Sequence, residues 1–450
     1  MDATTLLVGS MIGSGIFIAP SLMAKNVAAP GIFLGLWLLG GAFTLLGAVA
    51  YGELAAMMPE AGGQYAFLRR AFGPLYGFLY GWTLFLVIQS GFCAAVSIAF
   101  AKYLGLFLPF IGERVEVLHL GPLRLSSAQL VAVAVIAALT LINTRGVEAG
   151  ARVQNLFTVT KLAALGLLIA LGFALGHRHG ASFSHFLPLW STDVPQVAGA
   201  VQAGFLAALG VAVSKALFAY DAWNTVTFAA AEIRDPGRNL PRALIYGTLV
   251  TTLAYTGAAA VYLYLVPLGK MAAVPENRIA AEVARLLFGQ VGTVLIAAAI
   301  LISTFGCVNG MILGGARVLY AMAGDGLFLR SAGRLNGRGA PHVALWLLGA
   351  WSAVLALSGR YDDLLTYTTF ASLLFNAGTV AALYMLRRRM PQAERPYRAL
   401  GYPITPLLYI LVAVLFVGYI VLGDPRSSLL GLGLVLLGLP VYFVIRRRAA

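Results

Sequence analysis

The sequence predicts an all-α membrane protein of twelve transmembrane helices, and three observations carry that class. Apolar residues are 60% of the 450 and charged ones 11%, against roughly a quarter charged in a soluble globular chain. Apolar runs of the roughly 20 residues that cross hydrocarbon as a helix recur from one end of the chain to the other. Only short basic segments separate them, leaving no charged surface for a soluble domain. A single membrane transport domain, 1–450, is expected.

In order, the spans fall at 5–24, 31–57, 75–108, 126–143, 153–175, 201–229, 243–265, 289–322, 342–358, 364–386, 403–422 and 427–445. The Lys and Arg residues between them divide eighteen to nine between the two sides, and Lys102, Lys161, Lys215 and Arg317 fall inside spans. An even span count with that bias puts both termini in the cytoplasm. The formal charge of +14 would suggest a nucleic-acid partner in a soluble chain. Here the basic residues collect at the span ends, where membrane lipids with anionic headgroups are the partner, and no nucleic acid is expected. Residues 1–9 have no basic n-region, so no cleavable signal peptide is expected. Cys93 and Cys307 lie inside spans and cannot staple a small secreted domain.

Two spans are interrupted. Gly9, Gly13 and Gly15 punctuate the first, either to permit close helix packing or to break the helix. The sixth holds a polar and aromatic island, Phe218-Ala-Tyr-Asp-Ala-Trp-Asn224, whose Asp221 would be costly against lipid. The interruptions lie five spans apart, the pattern of an inverted-repeat transporter. Residues 1–175 and 201–386 would be the repeats, with 403–445 appended.

Further motifs are Tyr51-Gly-Glu-Leu54, Pro59-Glu-Ala-Gly-Gly-Gln-Tyr65, Val153-Gln-Asn-Leu-Phe-Thr-Val-Thr-Lys161, Glu232-Ile-Arg-Asp-Pro-Gly-Arg-Asn-Leu-Pro241 and Arg395-Pro-Tyr397. With Gly9-Ser-Met-Ile-Gly-Ser-Gly-Ile-Phe17 and the sixth-span island, they resemble the amino acid, polyamine and organocation (APC) transporter superfamily. Within it, the chain resembles the bacterial L-type amino acid transporter (LAT) family of neutral amino acid exchangers. The resemblance implies a LeuT-like 5+5 inverted repeat plus two C-terminal helices, with helices 1 and 6 broken around a central site. It implies amino acids as the small-molecule partners, movement by antiport without nucleotide hydrolysis, and a bacterial inner membrane. The protein is expected not to be an enzyme, to hold no metal and to need no cofactor; no Gly-rich phosphate loop with Lys and Ser/Thr is present. Eukaryotic relatives are joined to a heavy chain through a cysteine after the third span. Residues 109–125 contain none, so no disulfide-linked heavy chain is expected.

A broken helix offers free N–H groups to a carboxylate and free carbonyls to an ammonium. That places the substrate carboxylate at Ser14, Gly15 and Ile16, and its ammonium at the carbonyls of Met11, Ile12, Phe218, Ala219 and Asp221, with Phe218 a gate by resemblance. Gly13 and Gly15 are the helix-break glycines; packing is the competing reading for Ser14. Asp221 could read a basic substrate, meet a helix terminus or bond a neighbouring span. The glycine usual after it is Ala222 here. By resemblance, Lys161 stands where other relatives bind a sodium ion between the first and eighth spans, with Ser303 and Thr304 as partners. A charged Lys161 implies exchange, and the resemblance implies small neutral amino acids such as alanine, serine or cysteine as substrates. A titrating one implies proton-coupled uptake of neutral or cationic amino acids, and an amino-acid sensor without turnover is the rival of another class. Lys102 is expected to reach interface water, Lys215 to line the outer approach or pair within the bundle, and Glu53 to join a network with loop residues. Arg317 is expected to meet Glu53 or lipid phosphate.

Overall fold

A computed structural model describes residues 3–60, 62–120, 123–145, 148–197, 200–202, 204–358 and 361–449. The first span is two helices, α1 (Ala3–Met11) and α2 (Gly15–Ala24), separated by an unwound turn. Next come α3 (Pro30–Met57), the short amphipathic α4 (Gln64–Phe72), and a third span of α5 (Pro74–Thr83) and α6 (Gln89–Leu104) joined by a π-helical turn. Then follow α7 (Ser127–Thr144), α8 (Glu148–Leu175), α9 (Phe205–Tyr220), α10 (Pro236–Leu265) and the five-residue α11 (Leu268–Ala272). The chain continues through α12 (Ile279–Gly324), α13 (His342–Ser358), α14 (Tyr361–Arg389), α15 (Ile404–Gly423), α16 (Pro425–Leu436) and α17 (Gly438–Ala449).

Among the described residues, eleven spans are long and apolar enough to cross a membrane, and His342–Ser358 is a shorter apolar helix. Side chains such as Leu253, Val291, Ile404 and Leu411 stand exposed along these helices. On a water-soluble surface such a belt would be an aggregation patch; here hydrocarbon solvates it. The chain is a multi-pass membrane protein.

Element starts follow local chemistry. Ser126 accepts from the Gln129 N–H while the Gln129 side chain accepts from the Ser126 N–H, a capping box that opens α7. Pro30, Pro74 and Pro236 sit in the first turns of α3, α5 and α10, where no intrahelical donor is lost. Some expected bounds shift: the fifth and seventh spans start early, at Glu148 and Pro236. An antiparallel hairpin, β1 (Glu116–Leu120) with β2 (Leu123–Ser126), occupies the loop before α7. The eighth span starts where expected: α12 bends sharply at Gly289, φ 62°, which divides residues 279–288 from the spanning run that follows.

The packing order positions the site. α10 runs beside α3, α6 and α8 lie against α12, and α9 packs between α2, α3, α14 and α15. The two halves of the first span therefore sit inside the bundle, with α1 against α8, α10 and α12.

Candidate functional site

The first-span break is made possible by small residues. A Cβ on Gly15 would lie 2.5 Å from the Ala219 Cβ and 2.6 Å from its Cα, so only glycine lets the first span approach α9 this closely. The Ile12 N–H closes the last turn of α1 on the Val8 carbonyl at 3.0 Å, and the chain then unwinds through Gly13 and Ser14 before α2. Among the described residues, the N–H groups of Ser14, Gly15 and Ile16 have no acceptor; the first bonded donor of the second half is Phe17, to the Ser14 carbonyl. Three free donors at a helix start form an anion cradle.

The carbonyls freed at the end of α1 are held by side chains. Lys161 on α8 donates from Nζ to the Gly9 carbonyl at 2.5 Å and to the Ile12 carbonyl at 2.8 Å. Ser303 Oγ donates to the same Ile12 carbonyl at 3.1 Å, and Cys307 Sγ to the Ser10 carbonyl at 3.4 Å. Thr304 instead bonds the Ile300 and Leu301 carbonyls of its own helix. Lys161 is buried, and among the described residues no acidic side chain pairs with it. Its ammonium is satisfied by carbonyl oxygens alone, the ligand type a bound alkali cation would use.

The second break follows α9. Asp221 caps that helix, its Oδ1 accepting from the Ala222 N–H at 2.7 Å, and Ala222 adopts φ 66°. Alanine there occupies the left-handed region that glycine takes freely, so the Ala-for-Gly departure is borne as backbone strain. Tyr255 on α10 joins the two breaks: its hydroxyl lies 2.7 Å from the Met11 carbonyl and 3.0 Å from that of Ala219. One O–H shared between two acceptors couples their spacing.

Phe218 stacks on Phe92 at 4.6 Å and meets Tyr361 edge-on at 6.1 Å. Tyr361, in the first turn of α14, also shares a hydrogen bond of 3.0 Å with Ser14 Oγ. The structure thus gathers Met11, Ile12, Gly13, Ser14, Gly15, Phe218, Ala219, Lys161 and Ser303 into one neighbourhood, with Thr304 turned away. Asp221 lines two small cavities of about 10 and 20 Å³, each room for about one water.

Charged groups close both approaches. On the side away from the arginine-rich segments, Lys102 pairs with Glu113 at 2.7 Å and lies over the Tyr361 ring. Lys102 is buried there, not placed in interface water, because Glu113 folds back over it. Lys215 pairs with Asp362 at 2.8 Å, the bundle-facing alternative. Burial pulls the ammonium of Lys25, in the turn after α2, below its ordinary value, with Asp362 acting against that shift. On the other side, Arg69 and the Tyr65 hydroxyl both reach Asp325 at 2.7 Å. Burial first, then that hydrogen bond, holds the Tyr65 phenol above its usual range. Arg317 meets Glu232 at 2.9 Å and not Glu53, because Glu53 is taken by Arg387, Arg395 and the Ala399 N–H.

A profile of amino acid permeases matches residues 1–434. The chain belongs to the amino acid permease family. It is 28% identical to the Asc-type amino acid transporter 1 of Mus musculus, over 99% of this chain and 80% of that one. It is 28% identical to the serine/threonine exchanger SteT of Bacillus subtilis (strain 168), over 100% of this chain and 96% of the relative. It is 29% identical to the large neutral amino acids transporter small subunit 2 of Homo sapiens, over 99% and 79%. The protein is a secondary-active amino acid transporter of the APC superfamily, similar to LAT-type exchangers, and a transport protein, not an enzyme. Tyr255, Cys307 and Tyr361 escaped as site residues: a phenol or thiol in an apolar run resembles core until its partner is known, and Tyr361 falls between two expected spans.

Proposed function

We propose that this permease exchanges small neutral L-amino acids without sodium, by alternating access around the breaks in the first and sixth spans. The observation that carries it is the Lys161 ammonium on the Gly9 and Ile12 carbonyls. A fixed cation there does the work of an ion that would otherwise have to bind and leave with each cycle. The substrate carboxylate sits on the Ser14, Gly15 and Ile16 N–H groups. Its ammonium takes carbonyls at the end of α9, that of Asp221 and the second lone pair of Phe218, whose first holds the Asp221 N–H, since Tyr255 occupies Met11 and Ala219 and Lys161 occupies Ile12. Phe218, with Phe92 and Tyr361, encloses the site.

The architecture that suits this cycle is twelve helices in two inverted five-helix repeats, 1–175 and 201–386, with 403–445 added. Paired interruptions five spans apart support it. The eighteen-to-nine basic bias supports cytoplasmic termini in a bacterial inner membrane. Both cysteines are buried and free, which favours a chain working without a disulfide-linked heavy chain. Names of the relatives point to serine, threonine and other neutral amino acids as the first substrates to try.

Proteoliposomes preloaded with labelled alanine or serine test the proposal. Efflux should rise when unlabelled amino acid is added outside, and choline in place of sodium should leave it unchanged. Uptake into empty vesicles on an imposed proton gradient would show proton coupling instead. Binding with no flux in either assay would show a sensor.

A further inference from the structure

Where the last turn of α3 presents Ala56, α10 begins and 394–400 crosses from α14 towards α15, there is a groove of about 880 Å³. Its floor is tight: a Cβ on Gly237 would lie 3.2 Å from Pro396, and one on Gly52 would lie 3.0 Å from the Tyr397 ring. Four charged side chains line it, Arg238 and Arg242 of one sign and Asp235 and Glu394 of the other. All four are exposed, and among the described residues none makes a side-chain hydrogen bond or ion pair. Tyr397, in the lining, is partly buried.

The arginines stand four residues apart on one helix face, a like-charge pair that repels until an anion lies between them. Two guanidinium forks in that register suit a phosphate. The two carboxylates make the groove charge-balanced, so a purely anionic group would meet repulsion along with attraction. A ligand with a phosphate and a nearby cation satisfies all four. The surface then continues as hydrocarbon. Tyr246, Leu249 and Leu253 of α10 and Ile404, Leu408 and Leu411 of α15 are exposed, and α3 packs against both helices.

We propose that the groove binds a phospholipid whose headgroup carries a primary ammonium beside its phosphate, as phosphatidylethanolamine does, with its acyl chains along α10 and α15. The phosphate takes Arg238 and Arg242, and the ammonium donates to Asp235 and Glu394. A choline headgroup has the same net charge but no N–H to donate and a larger cation. Charge and hydrogen bonding therefore favour the primary amine.

Native mass spectrometry of the full chain in detergent, titrated with ethanolamine, choline and glycerol phospholipids of identical acyl chains, tests this. The ethanolamine lipid should bind about 10-fold or more tighter than the choline lipid, about the 1.4 kcal/mol of one hydrogen bond to a charged group. Asp235→Asn with Glu394→Gln should erase that preference and leave the choline lipid's affinity in place; asparagine tolerates the φ of 45° at position 235. Arg238→Gln with Arg242→Gln should weaken both lipids by about 30-fold, at roughly 1 kcal/mol per basic residue. Arg70→Gln with Arg330→Gln, exposed and outside the groove, should change neither. Equal binding of the ethanolamine and choline lipids, tighter binding of the glycerol lipid, or an equal loss in the control variant overturns the proposal. Competition by soluble glycerophosphoethanolamine at concentrations equal to the lipid overturns the assignment to a membrane lipid.

Discussion

The Lys215 ammonium lies 2.8 Å from the Asp362 carboxylate, tying the helix that breaks at Asp221 to the first turn of α14. Lys215 also donates to the Asp362 carbonyl at 2.9 Å and to Thr366 Oγ at 3.2 Å. Three acceptors on one element anchor a buried cation, and the next residue back, Tyr361, lies against both Ser14 and Phe218. Opening the approach on this side must pull that turn away.

Asp362→Asn should therefore loosen the tie without emptying the core. The carboxylate is half exposed, which limits the stability cost to about 1 kcal/mol. Labelling of a Ser14→Cys probe by a membrane-impermeant thiol reagent should quicken, and exchanging the two charges, Lys215→Asp with Asp362→Lys, should slow it again. Unchanged labelling in the single variant refutes the tie.

Lys161→Ala removes the donor to two buried, freed carbonyls. A hydrogen bond to a charged group contributes about 1.5–3 kcal/mol, so exchange in proteoliposomes should fall about 10-fold or more. Undiminished exchange by a folded variant would show that Ser303 and solvent suffice.

Gly15→Ala sets a methyl against Ala219. Overpacking of this kind costs about 1–3 kcal/mol and should lower both thermal stability in detergent and transport. Removing the opposing methyl with Ala219→Gly should restore part of each loss. A double variant no better than the single one would place the clash on the backbone.

Ala222→Gly runs the other way. At φ 66° alanine carries a left-handed penalty of about 1 kcal/mol that glycine avoids, so the midpoint of thermal unfolding should rise. A lower midpoint would mean that the Ala222 methyl packs for more than its backbone costs.

Much of the site was legible because the membrane makes anomalies expensive. Gly13 and Gly15, Asp221 and Lys161 stood out against apolar surroundings, and each departure had a short list of physical reasons. What stayed hidden was pairing at a distance. Lys215 finds Asp362 147 residues away, Arg317 finds Glu232, and Tyr255 bridges two breaks from a third helix. No local pattern encodes those meetings. The hairpin before α7 was missed because its short strands lie between spans, where hydropathy is mute. Thr304 shows the limit in reverse: a hydroxyl at a plausible position can bond its own helix.

With Lys161 charged throughout the cycle, as proposed above, the cation it supplies never equilibrates with either compartment, which has a thermodynamic consequence. Nothing dissociates downhill to power accumulation, so under strict exchange the inside-to-outside ratio of one amino acid cannot exceed the ratio of the one traded for it. The cell would gain selectivity and balance among its pools from this protein, and its net supply would have to come from elsewhere.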